Sequence, residues 1–193
     1  KVGPRSAHLA NLKYECFDYP EGVKAEIDTI SPYANDPEDY LIVKTSDGNA
    51  FALTLAGAAN YLGYVDENDY SKATSESYHE AWEALGAYLN RDPKEVAKEC
   101  LDKAAQQIYE IVNTLIQEYE LERGFLTLYG GGGSAGVLTK YLGEQYTLNH
   151  KIVNDAPFIS TIGVALAMIS ETIERSVVNP TEEQIENSLL ELT

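Results

Sequence analysis

Basic residues are scarce in this sequence: 14 lysines and arginines stand against 31 aspartates and glutamates, and the formal net charge is −17. Such an acidic surface repels a phosphate backbone, so we expect no nucleic-acid partner. Cysteine is scarce too, because only Cys16 and Cys100 are present, and they form neither a disulfide framework nor a metal-ligand set. The composition therefore predicts a cytoplasmic protein without a metal site of its own.

Long apolar runs are missing as well. No stretch approaches the ~20 residues that a helix needs to cross a bilayer, and no signal peptide is recognisable, so we expect no membrane contact. Hydrophobic residues still make up 44% of the chain, enough for a substantial core. The length fits one domain, residues 1–193, in which residues 18–90 can form a sub-lobe of hairpin and helices.

The order of apolar patterns predicts a mixed fold. A hairpin is expected around Asp47-Gly48, and an extended piece near residues 25–30. Helices are expected at 55–62 after the N-cap Thr54, at about 74–89, at 93–119 after Asp92-Pro93, at 158–175, and from Pro180-Thr181 onward. We therefore expect an α/β lobe, with a small mixed sheet and helices packed on it.

The most informative stretch is residues 125–136. Its apolar beginning, residues 125–129, predicts a buried strand because turn residues bound the short run. The glycines that follow can turn sharply, and Ser134 is a good N-cap for a helix that ends near Glu144; the glycines are Gly130, Gly131, Gly132 and Gly133. In such a turn the helix dipole and free N–H groups face a ligand, often an anion. A turn without a ligand needs only one glycine, so four predict a ligand close to the backbone.

Three blocks of sequence resemble the hydantoinase/oxoprolinase family. Residues 2–8 (VGPRSAH) are similar to its Val-Gly-Pro-Glu-Ser-Ala-Gly segment, and residues 52–63 (ALTLAGAANYLG) to its Thr-Val-Thr-Asp-Ala-Asn-x-x-Leu-Gly segment. Residues 126–136 and 159–165 resemble its adenosine-side loop and connecting helix. Residues 134–138 replace the family's usual Gly-Pro-Leu-His continuation, which indicates a divergent branch.

This resemblance implies the actin-like ATPase fold, of the ribonuclease H-like type, with the chain as its second lobe. The Asp-x-Gly-Gly-Thr loops that hold ATP phosphates in the family do not occur here. We therefore expect a first lobe to precede this one in a longer chain, and the fragment alone to be inactive. The implied activity is ATP-dependent hydrolysis of a cyclic amide such as 5-oxoproline or a hydantoin, with Mg²⁺, in a protein that can have a second subunit or form a homo-oligomer.

The resemblance also assigns residues. Gly130, Gly131, Gly132, Gly133 and Ser134 would line the adenosine side of the cleft, and Gly163 would support it. Arg5 and His8 replace the family's acidic residue and glycine; they are candidate catalytic residues, as a planar cation and a proton carrier, although both can equally be solvated side chains. Two alternatives stay open: a non-hydrolysing ATP-binding regulatory or reactivating module, and a structural lobe that binds nothing by itself.

Overall fold

The structure is a computed structural model that describes residues 12–31, 40–167 and 181. By its internal contacts the chain divides into two compact units, residues 1–160 and residues 161–193. Within the described residues, no helix is long and apolar enough to cross a bilayer. The single domain and the sub-lobe expected from the sequence stay predictions.

A four-stranded mixed sheet forms one side of the first unit. Its strands are β1 (Lys13–Tyr14), β2 (Ala25–Ile30), β3 (Tyr40–Thr45) and β4 (Ala50–Ala52), in the order β1-β4-β3-β2. β3 runs antiparallel to both β2 and β4, whereas β1 is parallel to β4. Asp47 stabilises the β3–β4 turn, since its carboxylate accepts hydrogen bonds from Thr45 Oγ1 and the Asn49 N–H. The predicted hairpin is confirmed.

The described residues also contain helices α1 (Glu15–Asp18), α2 (Leu55–Tyr61), α3 (His79–Leu89), α4 (Pro93–Glu118), α5 (Ala135–Gln145) and α6 (Ile159–Leu166). The predicted caps at Thr54 and Asp92 are confirmed. Thr54 Oγ1 accepts a hydrogen bond from Gly57 N–H, and the Asp92 carboxylate accepts from two N–H groups in the first turn of α4. Both caps satisfy donors that a helix leaves unpaired at its start.

Helix α3 begins at His79, five residues later than the sequence suggested. The reason is tertiary: Thr74 Oγ1 donates to Phe17 O at 2.9 Å, and Ser77 Oγ donates to Tyr19 O at 2.9 Å. These bonds hold the segment against the end of α1 and keep it out of the helix. The predicted helical residues 168–175 and the helix expected after Pro180 lie outside the described residues.

The hydrophobic core lies between this sheet and the helices. Its largest fully buried side chains include Trp82, Phe51 and Leu101. α2 packs against α4 and α5, and its middle is buried at Gly57, Ala58 and Ala59 because these small residues let neighbouring elements approach closely. The mixed α/β architecture with a small sheet and packed helices is confirmed at this level, and the actin-like ATPase lobe stays a prediction.

A second sheet consists of two parallel strands, β5 (Thr127–Gly130) and β6 (Asn149–Ile152), joined through α5. The predicted strand is confirmed over residues 127–129, which lie in β5, but its predicted burial is wrong, since Phe125 is 85% exposed in a 3-10 turn and Tyr129 is 67% exposed. Side chains alternate between the two faces of a strand, and Gly130 faces α5, since a Cβ there would overlap Thr139 of that helix. Tyr129 therefore lies on the other face.

Candidate functional site

The glycine turn, residues 130–133, joins β5 to α5. The physical reason why a glycine is needed differs from one position of the turn to the next. A Cβ on Gly130 would overlap Thr139, and a Cβ on Gly131 would lie 3.0 Å from Ile159 Cγ2. Gly132 has a φ of 96°, which L side chains rarely adopt, and no atom of the described residues lies within 4 Å of the position that a Cβ would take there. Internal packing therefore explains part of the glycine run that the sequence attributed to a ligand alone.

Backbone hydrogen bonds fix the glycine turn in place. Gly132 N–H donates to Ala156 O at 2.6 Å, and Val153 N–H donates to Gly130 O at 3.0 Å. Ser134 occupies the N-cap position of α5, as predicted, but its side chain makes no capping hydrogen bond. Gly131, Gly133 and Ser134 are exposed. The turn is thus held rigidly from β6 while its outer face remains accessible.

Residues 69–71, which the sequence did not connect with the glycine turn, contact it directly. The Ser71 hydroxyl is buried and lies 3.0 Å from Gly133 O and 2.7 Å from Asp69 Oδ1. The Tyr70 ring packs on the turn, with Cε1 3.4 Å from the position that a Cβ of Gly133 would take. Asp69, Tyr70 and Ser71 therefore belong to the site, which the sequence did not show.

Asn60 connects the segment that supports the glycine turn, residues 69–71, to helix α2; we call this segment the brace. Its amide nitrogen donates to Ser71 O at 2.8 Å, and its amide oxygen accepts from Ala73 N–H at 2.9 Å. Asparagine is unfavourable inside helices, so its presence among the small residues of α2 was the only hint of this contact in the local sequence. The structure shows that Asn60 is buried near the end of the helix. The signal was weak because it does not name the partner segment.

The beginning of α5 already has a carboxylate beside it. The Asp69 side chain lies directly over Gly136, where a Cβ would overlap its oxygens. A carboxylate is stabilised at the positive end of the helix dipole. An anionic ligand at this place would meet the charge of Asp69, so the geometry favours an uncharged group over a phosphate here.

A cleft opens beside the turn, and we call it the glycine cleft. Its volume is about 340 Å³, and its walls include Tyr70, Gly132, Gly133, Val153, Asp155 and Pro157. Except for Tyr70, these residues follow β5 and β6, so the cleft lies at the carboxyl ends of two parallel strands, where α/β proteins usually bind ligands. Asp155 has a φ of 55°, an uncommon conformation for a residue with a side chain.

A second cavity, the aromatic cavity, lies on the other side of Tyr70 and Gly133. Its volume is also about 340 Å³. The side chains that line it are mainly apolar or aromatic, with three aliphatic hydroxyl groups; they are Tyr14, Phe17, Leu55, Ala56, Tyr70, Val137 and Leu138 with Thr54, Ser71 and Ser134. Tyr70 and Gly133 therefore form a wall shared by two cavities.

Behind Thr54 lies a carboxylate that sequence analysis missed. Glu15 is 0% exposed, and its Oε1 accepts a hydrogen bond from Thr54 N–H at 2.9 Å. Thr54 Oγ1 lies 3.0 Å from Glu15 Oε2. Gly57 makes the room, because a Cβ there would overlap Glu15 Oε1. Trp82 Nε1, also buried here, has no hydrogen-bond partner among the described residues.

Burial controls the acid–base chemistry of this cluster. It raises the pKa of Glu15 to about 7, and the hydrogen bonds from Thr54 only partly oppose this shift. Burial, and then the charge of Glu15, raise the pKa of the neighbouring Cys16 thiol to about 12. Cys16 is therefore an unreactive core residue at neutral pH, whereas Glu15 changes its charge close to neutrality.

For three predicted site residues, the structure gives no position relative to the glycine turn. Arg5 and His8 lie outside the described residues, and Gly163 lies in α6 within the second compact unit. Their assigned roles stay predictions. Among the residues that the structure describes, no group of three or more His, Cys, Asp or Glu side chains is arranged to hold a metal ion.

The fold and the site together define a mixed α/β lobe with an accessible glycine turn at the carboxyl end of a parallel strand. Residues 1–173 of the 193-residue chain match the model of the hydantoinase/oxoprolinase family, and the chain belongs to this family of hydrolases acting on cyclic amides. No curated protein and no solved structure matches it.

Proposed function

We propose that the chain is the nucleoside-binding lobe of an ATP-dependent hydrolase that opens a lactam or hydantoin ring. The glycine turn carries this proposal: it ends β5 beside β6 and opens into a cleft of about 340 Å³. This is the edge where α/β sheets bind ligands, and the volume lies in the range of small-molecule sites. Membership of the family supplies the reaction class.

The residues of the glycine cleft suit the uncharged half of a nucleotide. The exposed ring of Tyr70 gives a planar base a surface for stacking, and Gly132 and Gly133 let it approach the backbone. The carboxylate of Asp155, which lines the cleft, would accept hydrogen bonds from ribose hydroxyls. The negative charge of Asp69 would repel phosphates from the N-terminal end of α5. The phosphates would therefore extend toward the proposed first lobe.

ATP, with Mg²⁺, would supply the phosphoryl group that, placed on the amide oxygen, activates the carbonyl carbon for attack by water. In this proposal the described residues bind and orient the nucleoside. Arg5 and His8 would act on the phosphate or substrate side, and Gly163 would support the nucleotide site. The chain alone would bind without turnover, because the phosphate-binding loops would belong to the first lobe.

Calorimetric titration of the chain with ATP and Mg²⁺ tests nucleotide binding. Gly132→Val places a side chain at an open position of the cleft and should abolish it. Gly48→Val is the matched control: Gly48 also has a positive φ and, in the described part of the chain, no atom within 4 Å of a Cβ there, but it lies in the β3–β4 turn. Equal binding by both variants, or no binding by the parent chain, would reject the proposed function.

Turnover separates a hydrolase from a regulatory module. A longer protein that contains this lobe should hydrolyse ATP faster when a cyclic amide is present. ATP turnover that ignores 5-oxoproline, hydantoins and related lactams would instead support the non-hydrolysing relative.

A further inference from the structure

The aromatic cavity has the features of a second small-molecule site. Ligand sites are concave and mostly apolar, with a few polar groups that fix orientation. Here the aromatic rings of Tyr14, Phe17 and Tyr70 face the same cavity as the hydroxyls of Thr54 and Ser134. Its volume of about 340 Å³ is enough for a small ring with one substituent.

The position of the cavity relates it to the glycine cleft. Tyr70 and Gly133 line both spaces, so two ligands bound there would be separated by a single aromatic ring and one turn of backbone. Ser71 holds this wall through its contact with Gly133 O. A group in the aromatic cavity is therefore a direct neighbour of a group in the glycine cleft.

Charge discriminates among ligands for the cavity. Thr54 lies at its wall, and the fully buried carboxylate of Glu15 lies directly behind Thr54. The Thr54 hydroxyl lies between the cavity and the Glu15 carboxylate. It contacts Glu15 and accepts a hydrogen bond from Gly57 N–H. Above its pKa of about 7, Glu15 carries a buried negative charge, which is weakly screened and disfavours an anionic group in the cavity.

We propose that the aromatic cavity binds the ring of the cyclic amide and selects uncharged rings with an apolar substituent over carboxylate-bearing rings such as 5-oxoproline. The identification of the ring as a cyclic amide rests on the proposed function. The apolar walls bind the substituent, and the hydroxyl of Thr54 meets the polar edge of the ring. Glu15 is a positioning residue, because it acts through Thr54.

Titration of the chain with 5-phenylhydantoin and with 5-oxoproline tests the selection. Trp82 is the single tryptophan of the chain and lies beside Gly57 and the carboxylate of Glu15, so its fluorescence reports on this region. At about pH 8, above the pKa of Glu15, we expect 5-phenylhydantoin to bind at least about tenfold more tightly than 5-oxoproline. Equal affinities would overturn the selection.

Two variants locate the binding. Ala56→Phe places a ring in the cavity and should weaken 5-phenylhydantoin by at least about tenfold, whereas Ala87→Phe, on the exposed face of α3, should leave it unchanged. If Ala56→Phe does not fold, Leu138→Ala removes part of the wall and should weaken binding several-fold. Unchanged affinity in a folded cavity variant would overturn the proposal.

Glu15→Gln isolates the contribution of charge. It removes the negative charge and nearly preserves the shape, so the preference against 5-oxoproline should shrink while binding of 5-phenylhydantoin persists. An unchanged preference would show that Glu15 does not select the ring.

The two proposals fail in different ways. Ring binding without nucleotide binding would support the cavity and reject the proposed function, whereas nucleotide binding without ring binding would support the proposed function and reject the cavity. Absence of both would reject both proposals.

Discussion

Two strand-to-helix turns of this chain receive a carboxylate from elsewhere in the sequence, and they are built in opposite ways. At the β4–α2 turn, Glu15 is fully buried and Thr54 donates its N–H to it. At the glycine turn, Asp69 lies half-buried over Gly136, and a cavity opens on each side of Tyr70. At the first turn the carboxylate is fully enclosed behind Thr54, which itself lines the aromatic cavity, whereas the second turn keeps accessible backbone. Accessibility, and not the carboxylate, therefore distinguishes the candidate ligand site.

The largest expected difference between the turns is the pH dependence of Glu15. Its pKa rises from 4.5 to about 7 on folding, so the folded protein holds a proton that the unfolded chain releases between these values. The stability that this proton contributes is complete below pH 4.5 and is lost as pH rises through 7, a change of about 3 kcal/mol in the free energy of unfolding. Urea unfolding near the two ends of this range measures it.

Glu15→Gln is the control for this pH effect. Other acidic groups titrate in both proteins, so the informative quantity is the difference between the parent chain and the variant at each pH. We expect the parent to lose more stability than the variant as pH rises. Parallel pH profiles would show that the buried carboxylate does not titrate as described.

Gly57→Ala should break the β4–α2 turn by overpacking. The added methyl group overlaps the Glu15 carboxylate and approaches Trp82 Nε1 to 3.0 Å, which we expect to cost about 2 kcal/mol of stability. Gly124→Ala is the control, since a Cβ there meets no atom within 4 Å. Thermal unfolding of both variants measures the difference, and equal melting temperatures would contradict the close packing of α2 on Glu15.

The contrast also shows how much the sequence could reveal. Asp47-Gly48 predicts the hairpin, and Thr54 predicts the start of α2, because these signals act over a few residues. The sites of Glu15 and Ser71 depend on partners 39 and 62 residues away, which no local pattern names. The burial of strand β5 was mispredicted for a similar reason. An apolar run indicates that a strand is hydrophobic, but it does not indicate whether one or both faces of the sheet are covered by other elements.

Tyr70→Ala should separate binding from stability at the glycine turn. The ring is 67% exposed, so its loss should change the free energy of unfolding little. Loss of a stacking surface is expected to weaken adenosine by about tenfold, since stacking of a base on an aromatic ring contributes ~1–3 kcal/mol. Calorimetry measures the affinity, and Tyr88→Ala, a tyrosine of similar exposure on α3, is the control. Equal affinities for adenosine in the two variants would contradict the stacking role.

Ser71→Ala should produce the smallest effect. The hydroxyl is buried and its removal leaves Gly133 O and Asp69 Oδ1 without this partner, at a cost of about 1 kcal/mol. Ser134→Ala, which removes an exposed hydroxyl that makes no capping bond, should change the melting temperature very little. A reversed order of the two variants would show that the brace does not support the glycine turn.

The central claim is that the accessible backbone of the glycine turn receives a nucleoside. Amide chemical shifts of the chain during titration with adenosine test it directly, because each glycine of the turn reports separately. We predict saturable shifts at Gly131, Gly132 and Gly133, with none at Gly48 in the β3–β4 turn. Unchanged amides throughout the glycine turn at saturating adenosine would contradict the account.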